Sequence, residues 1–197
     1  MAGRQHSVLV RPDGTIHTWG DNSRGQLGIG SSIANYNFPR EIPGFGQVTD
    51  VAAGALHTLM IANGRVYGWG DNTRRQLGAG TFDSCGGTGC NRTPVEITFP
   101  AGKIPVKVGA GDFHSFVIMA DGTVWSLGYN HLGQLGSGEA TQTSSIPVPV
   151  VGYELNSFLT DVVRHHWGRG PLHRAAQRWH RLGLGLELLL SAWDWQM

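Results

Sequence analysis

The stretch TWGDNSRGQLGIG occupies residues 18–30, and it returns as GWGDNTRRQLGAG at 68–80 and as SLGYNHLGQLGSG at 126–138. A phrase written three times in 197 residues marks repeated units. Working outward, each copy closes a longer line. The three lines are AGRQHSVLVRPDGTIHTWGDN at 2–22, AGALHTLMIANGRVYGWGDN at 53–72 and AGDFHSFVIMADGTVWSLGYN at 110–130. Their histidines, His6, His57 and His114, are 51 and 57 residues apart. An insertion in the second unit, TFDSCGGTGCNRT at 81–93, lengthens the second step.

Every unit carries the same local physics. A short apolar run follows the histidine, a turn interrupts it, and a second run ends in the repeated phrase. The turns are Asp13-Gly14, Asn63-Gly64 and Asp121-Gly122. Asp-Gly and Asn-Gly tolerate positive φ and so predict type I′ turns joining paired strands. A third apolar run, as in QVTDVAAG from 47 and IPVKVGAG from 104, follows the polar loop. Gly28, Gly78 and Gly136 suit loops whose backbone packs closely against a neighbour. Thirty glycines among short aromatic and β-branched runs predict tight turns and many short strands. Small antiparallel sheets at about fifty-residue spacing point to the blades of a propeller.

These units resemble the regulator of chromosome condensation repeat family. The opening histidine, the D-G-x-V-x-x-W-G-x-N hairpin and the G-Q-L-G loop carry the resemblance over residues 2–163. Trp19 and Trp69 fill the aromatic position, where the third unit has Leu127 and places Trp125 two residues earlier. Arg75 replaces the first glycine of the second G-Q-L-G loop. The resemblance implies a ring of seven four-stranded blades. The expected fold is therefore all-β, an incomplete β-propeller of about three four-stranded antiparallel blades over 1–163, with units starting near 2, 53 and 110.

A fourth unit is due after LTDVV at 159–163, and RHHWGRGPLHRAAQRWHRLGLGLELLLSAWDWQM stands there instead. Taken at face value, residues 164–197 are irregular or helical. Reading the coding DNA one nucleotide later changes that. Trp has one codon, so Trp179, Trp193 and Trp195 all become glycine. Pro171 can then become the opening histidine, eight positions before the turn glycine, as His6 stands before Gly14. The segment is expected to be an out-of-frame fourth repeat of a longer protein.

Charge follows the same division. Residues 1–163 carry ten Lys/Arg and twelve Asp/Glu, whereas 164–197 carry five Arg against Glu187 and Asp194. The basic excess sits in the aberrant segment, so nucleic-acid binding by the repeats is not expected. No stretch reads as a signal peptide or a membrane span. The cytoplasm is the default compartment, with export the alternative if an upstream signal precedes residue 1.

The recurrent residues read as structural. A histidine at one position of every unit performs one task in each, which argues against catalysis by His6, His57 or His114. Asp21, Asp71, Asn22, Asn72 and Asn130 follow a strand end and are expected to cap turns. No D-x-D-x-D-G calcium loop, Walker lysine or dinucleotide-type glycine motif is present. Cys85 and Cys90 make a poor zinc site and are either free thiols or a small disulfide. No catalytic residue, cofactor or metal is expected.

The expected role is a scaffold for a protein partner. The irregular insertion offers Phe82, Asp83, Asn91 and Arg92 as contacts, and the repeated loops add Arg24, Arg74 and Arg75. The family resemblance implies two alternatives, guanine-nucleotide exchange on a small GTPase and inhibition of an enzyme by a propeller face.

Overall fold

The computed structural model describes residues 1–80 and 83–152. Phe82 and the segment 164–197, with LTDVV before it, lie outside the described residues. The described residues carry twelve strands and no helix, arranged as three antiparallel sheets. In the first sheet, β1 (His6–Val10), β2 (Ile16–Asp21) and β3 (Asn35–Glu41) pair in chain order. In the second, β4 (Val48–Ala53), β5 (His57–Ala62) and β6 (Arg65–Asp71) are followed by β7 (Asp83–Cys85) and β8 (Thr88–Ile97), in the order β4-β5-β6-β8-β7. The third holds β9 (Pro105–Ala110), β10 (His114–Met119), β11 (Val124–Tyr129) and β12 (Thr143–Pro149). These are blades of an incomplete propeller.

Strand counts of three, five and four correct the expectation of uniform four-stranded blades. The insertion folds back as the β7–β8 hairpin and adds the fifth strand. In the first sheet, residues 1–3 meet β1 through an Ala2–Ser7 bridge, the bonds between Met1 and Val8, and one from Gly3 N–H to His6 O, without forming a fourth strand. The sequence units are also offset from the sheets by one strand. QVTDVAAG becomes β4, which pairs with β5 of the next sheet and not with β3 before it. Each repeat thus spans two blades.

The turns differ from the expectation in two units of three. Asn63 and Gly64 both have positive φ, 52° and 72°, and they alone separate paired Ala62 and Arg65, as a type I′ turn requires. In the first and third units five residues separate the pairs Val10–Ile16 and Ile118–Val124. There Gly14 and Gly122 have positive φ but Asp13 and Asp121 do not, and the loops close through Gly14 N–H to Arg11 O and Gly122 N–H to Met119 O. The extra length converts the loop to a type I turn followed by a left-handed glycine. Asp13 and Asp121 then accept bonds from the N–H and hydroxyl of Thr15 and Thr123.

Each sheet bulges at the same recurrent place, and the second and third sheets also shift register between Val48 and Asp50 and between Ile118 and Met119. The ladder skips between Thr18 and Gly20, between Gly68 and Gly70, and between Ser126 and Gly128. Opposite Trp19, Trp69 and Leu127 the outer strand has three residues, the last being Pro39, Pro94 and Pro147. A bulge is where a strand tolerates a proline that cannot donate to the ladder.

Two apolar layers lie between the sheets. Val8, Ile16 and Ile42 meet Val51, Met60 and Trp69 in one. Leu59, Ile61 and Val66 meet Val108, Val117 and Met119 in the other. Alternate residues of β5 point into the two layers, so the strand is buried throughout. That explains why HTLMIA is nearly continuous in apolar character.

Candidate functional site

The recurrent side chains tie one blade to the next. In each unit a glycine three residues before the histidine donates its N–H to the histidine carbonyl, at 2.8, 2.9 and 2.9 Å. The imidazole then lies over that glycine, and a Cβ on Gly54 would sit 2.3 Å from Cε1 of His57. His6 Nε2 is 2.9 Å from Thr58 Oγ1 in the second blade, and His57 Nε2 is 3.1 Å from Ser115 Oγ in the third. Thr58 Oγ1 donates to Gln26 O at 3.0 Å, and Ser115 Oγ donates to Gln76 O at 2.7 Å. With each hydroxyl hydrogen so committed, the histidine Nε2–H is the donor to it. Burial keeps the rings neutral near pH 7, holding His57 down to about 3, and His6 and His114 to about 4. The Nδ1 atoms of His6 and His57 are buried without a hydrogen-bond partner.

The aromatic position adds a second link. Trp69 Nε1 donates to the same Gln26 carbonyl at 2.9 Å, and its indole covers Gly28, where a Cβ would come within 2.7 Å of Nε1. Leu127 replaces the indole at the next boundary and approaches Gly78. Trp19 is half-buried.

The repeated loop holds itself together. Asn22, Asn72 and Asn130 accept through Oδ1 from the N–H of Leu27, Leu77 and Leu135. Gln26 and Gln76 accept from the N–H of Arg24 and Arg74 and donate to Asp21 and Asp71. Gln134 accepts likewise from Leu132 N–H, but Tyr129 replaces the aspartate. Inward residues of the loop are thus fixed by its fold, and Arg74 and Leu132 are exposed.

The candidate contacts divide among three situations. Arg24 is engaged in the adjacent blade, donating to Cys85 O at 3.1 Å and to Thr88 Oγ1. Asp83 accepts from Arg92 N–H at 2.9 Å while the Arg92 guanidinium donates to Ser84 O at 2.7 Å, so this pair braces the inserted hairpin. Cys85 and Cys90 are joined by a disulfide across the same hairpin. Asn91 corrects the expectation outright. It is 2% exposed on β8 and cannot meet a partner. Arg75 is exposed and takes φ of 64°, where Gly25 and Gly133 have 75° and 74°.

Arg74 belongs to a group that sequence reasoning missed. Its guanidinium lies 4.9 Å from the Tyr129 ring of the third blade. His131 stacks on Tyr129 at 6.0 Å and 19°, and Phe113 meets Tyr129 edge-on at 6.4 Å. Leu132 beside them is 84% exposed and Phe113 37% exposed. The available signal was departure from the repeat. Tyr129, His131 and Leu132 occupy the positions of Asp, Ser or Thr, and Arg in the other two units.

Among the described residues no group of three or more His, Cys, Asp or Glu could hold a metal ion, and no helix is long and apolar enough to cross a membrane.

Comparison with known proteins gives this arrangement a lineage. The model of the regulator of chromosome condensation (RCC1) repeat matches residues 13–61 and 63–118, and a second model of that repeat matches 48–76 and 106–134. The chain is 34% identical over 149 residues to the human probable E3 ubiquitin-protein ligase HERC6, covering 68% of this chain and 13% of that protein. It is 30% identical over 164 residues to the ultraviolet-B receptor UVR8 of Arabidopsis thaliana, covering 81% of this chain and 35% of the receptor. Human regulator of chromosome condensation is 30% identical over 144 residues, 68% of this chain and 31% of that one. Among solved structures, Prp20p from Saccharomyces cerevisiae superposes with a TM-score of 0.66 at 21% identity, covering 77% of this chain and 37% of Prp20p. Human WBSCR16 gives 0.65 at 24% identity, over 75% and 36%. The chain spans about a third or less of each of these proteins.

Proposed function

We propose that the chain, which belongs to the regulator of chromosome condensation (RCC1) repeat family, is a protein-binding propeller module that meets its partner through the loop end of the blades. One observation carries this reading. An asparagine closes each G-Q-L-G loop by the same bond from a leucine N–H, whereas the matching outer position holds Arg24 bonded to the inserted hairpin, then an exposed Arg74, then an exposed Leu132. A rigid scaffold with varied outward side chains is the arrangement by which propeller loops recognise proteins.

A binding role fits better than catalysis. His6 and His57 are neutral and engaged across the blade boundaries, and Asp21 and Asp71, which end β2 and β6, are engaged within their loops. The similarity to a probable ubiquitin ligase concerns 13% of that protein. Regulation of a small GTPase is the second reading, favoured by the Prp20p likeness, since that protein is described as binding Gsp1p and histones.

The test compares proteins captured by the whole chain with those captured by two double variants. R74E/L132E changes the loop end, and R65E/K103E changes the opposite end. The reading requires the first to lose bound proteins and the second to retain them. Identical captured sets from all three chains overturn it. Accelerated nucleotide release from a captured GTPase would favour the second reading.

A further inference from the structure

We infer that the Arg74–Tyr129–His131 ridge is a docking site for an extended peptide that presents a carboxylate close to an apolar side chain. The inference rests on the loop-end reading above and names the class of partner.

Arg74 crosses from the second loop to the third blade and lies against Tyr129. Among the described residues it forms no ion pair. A guanidinium stacked on an aromatic face keeps its rim of N–H donors in the plane of the group, open to a carboxylate. Stacking also fixes the side chain before anything binds, which lowers the entropic cost of a paired contact. A planar donor fork of this kind matches a carboxylate through two bonds at once.

The apolar requirement comes from the same ridge. Leu132 is 84% exposed, and Phe113, edge-on to Tyr129, is exposed as well. From Arg74 through Tyr129 to Phe113 is at most about 11 Å, the reach of three to four residues of extended chain. One peptide can therefore set an acidic residue on Arg74 and an apolar one against Phe113 and Leu132. A nucleic acid suits the ridge less well, because each phosphate gained asks for another cation. Here Asp112 adjoins Phe113 in sequence and is itself exposed.

The experiment measures fluorescence anisotropy of labelled twelve-residue peptides with the full-length chain. One peptide carries Glu three residues before Leu in a Gly/Ser background, and its control carries Gln instead. The Glu peptide is expected to bind about tenfold more tightly, the scale of a charge-assisted hydrogen-bond pair. R74Q should abolish that difference. L132S should weaken both peptides while keeping their ratio, and R65Q at the far end should change neither. Equal binding of the two peptides, or a preference that survives R74Q, overturns the proposal. So does R74Q-sensitive binding of a ten-residue oligothymidine with no peptide binding. Proteins captured at the loop end that ignore R74Q overturn this inference alone, whereas indifference to every loop-end variant overturns the loop-end reading as well.

Discussion

His57 Nε2 and Ser115 Oγ face each other at 3.1 Å across the boundary between the second and third blades, and the serine passes its own hydrogen to the carbonyl of Gln76. Two groups of the second blade, one donor and one acceptor, are satisfied by one hydroxyl of the third. All of them are buried, so removing the hydroxyl leaves both a donor and an acceptor without partners. Ser115→Ala should cost about 2 to 3 kcal/mol in urea unfolding. In a double-mutant cycle with His57→Phe the costs should be strongly non-additive, because the histidine's main polar partner is already gone. Additive losses would show that the two side chains act separately.

Acid should expose the same device. Burial lowers His57 to about 3, with repulsion from His114 and His6 adding to it. Burial likewise lowers His6 and His114 to about 4, against partial support for the charged form from Asp21 and Asp112. Free histidine titrates near 6.5, so between there and about 4 the unfolded chain holds more protons than the folded one. Stability is then fully present above pH 6.5 and falls as pH drops towards 4. Each histidine should contribute on the order of 3 kcal/mol to that fall. Urea midpoints at pH 7.5, 6, 5 and 4 should decline in that window, and His57→Phe should flatten the decline. A midpoint constant to pH 5 would refute the assignment.

What the sequence displayed and what it hid divide along physical lines. β1, β2, β5, β6, β10 and β11 were legible because apolar runs flank Gly-containing turns. β3, β8 and β12 were not, although every blade needs them. Their residues face solvent in large part, as NYNFPRE of β3 does, and alternation cannot mark a strand that buries little. The signal present was a proline, Pro39, Pro94 or Pro147, recurring at the bulge. Of the surface, Arg74 was legible as a loop cation. Its partners were not, because Tyr129 and Phe113 meet it only through the contact between blades.

The inserted hairpin is clasped from the neighbouring blade. Arg24 reaches Cys85 O at 3.1 Å and Thr88 Oγ1, groups held in place by the Cys85–Cys90 disulfide. So short a loop should lose about 2 kcal/mol when the crosslink is removed by C85S/C90S. The loss should be confined to the hairpin, read as faster amide exchange over β7 and the start of β8. Arg24→Ala should lower stability in the intact chain and add little in C85S/C90S, since the acceptors no longer hold position. An Arg24→Ala effect of equal size in both backgrounds would separate the clasp from the disulfide.

Gly28 and Gly44 allow backbone strain to be told apart from steric contact at a blade boundary. Both have positive φ, 71° and 86°. A Cβ at Gly44 would meet nothing within 4 Å, whereas one at Gly28 would lie 2.7 Å from Trp69 Nε1. Alanine at Gly44 therefore carries only the cost of a left-handed conformation, about 1 kcal/mol. At Gly28 the same cost is joined by displacement of a fully buried indole that donates to Gln26 O. Overpacking of this kind adds roughly 1 to 3 kcal/mol. Gly28→Ala should accordingly shift the urea midpoint two- to four-fold further than Gly44→Ala. It should also change the tryptophan emission spectrum, which Gly44→Ala should leave alone. Equal shifts for the two variants would mean that the indole moves aside without loss, and that the Trp69–Gly28 contact does not hold the first blade to the second.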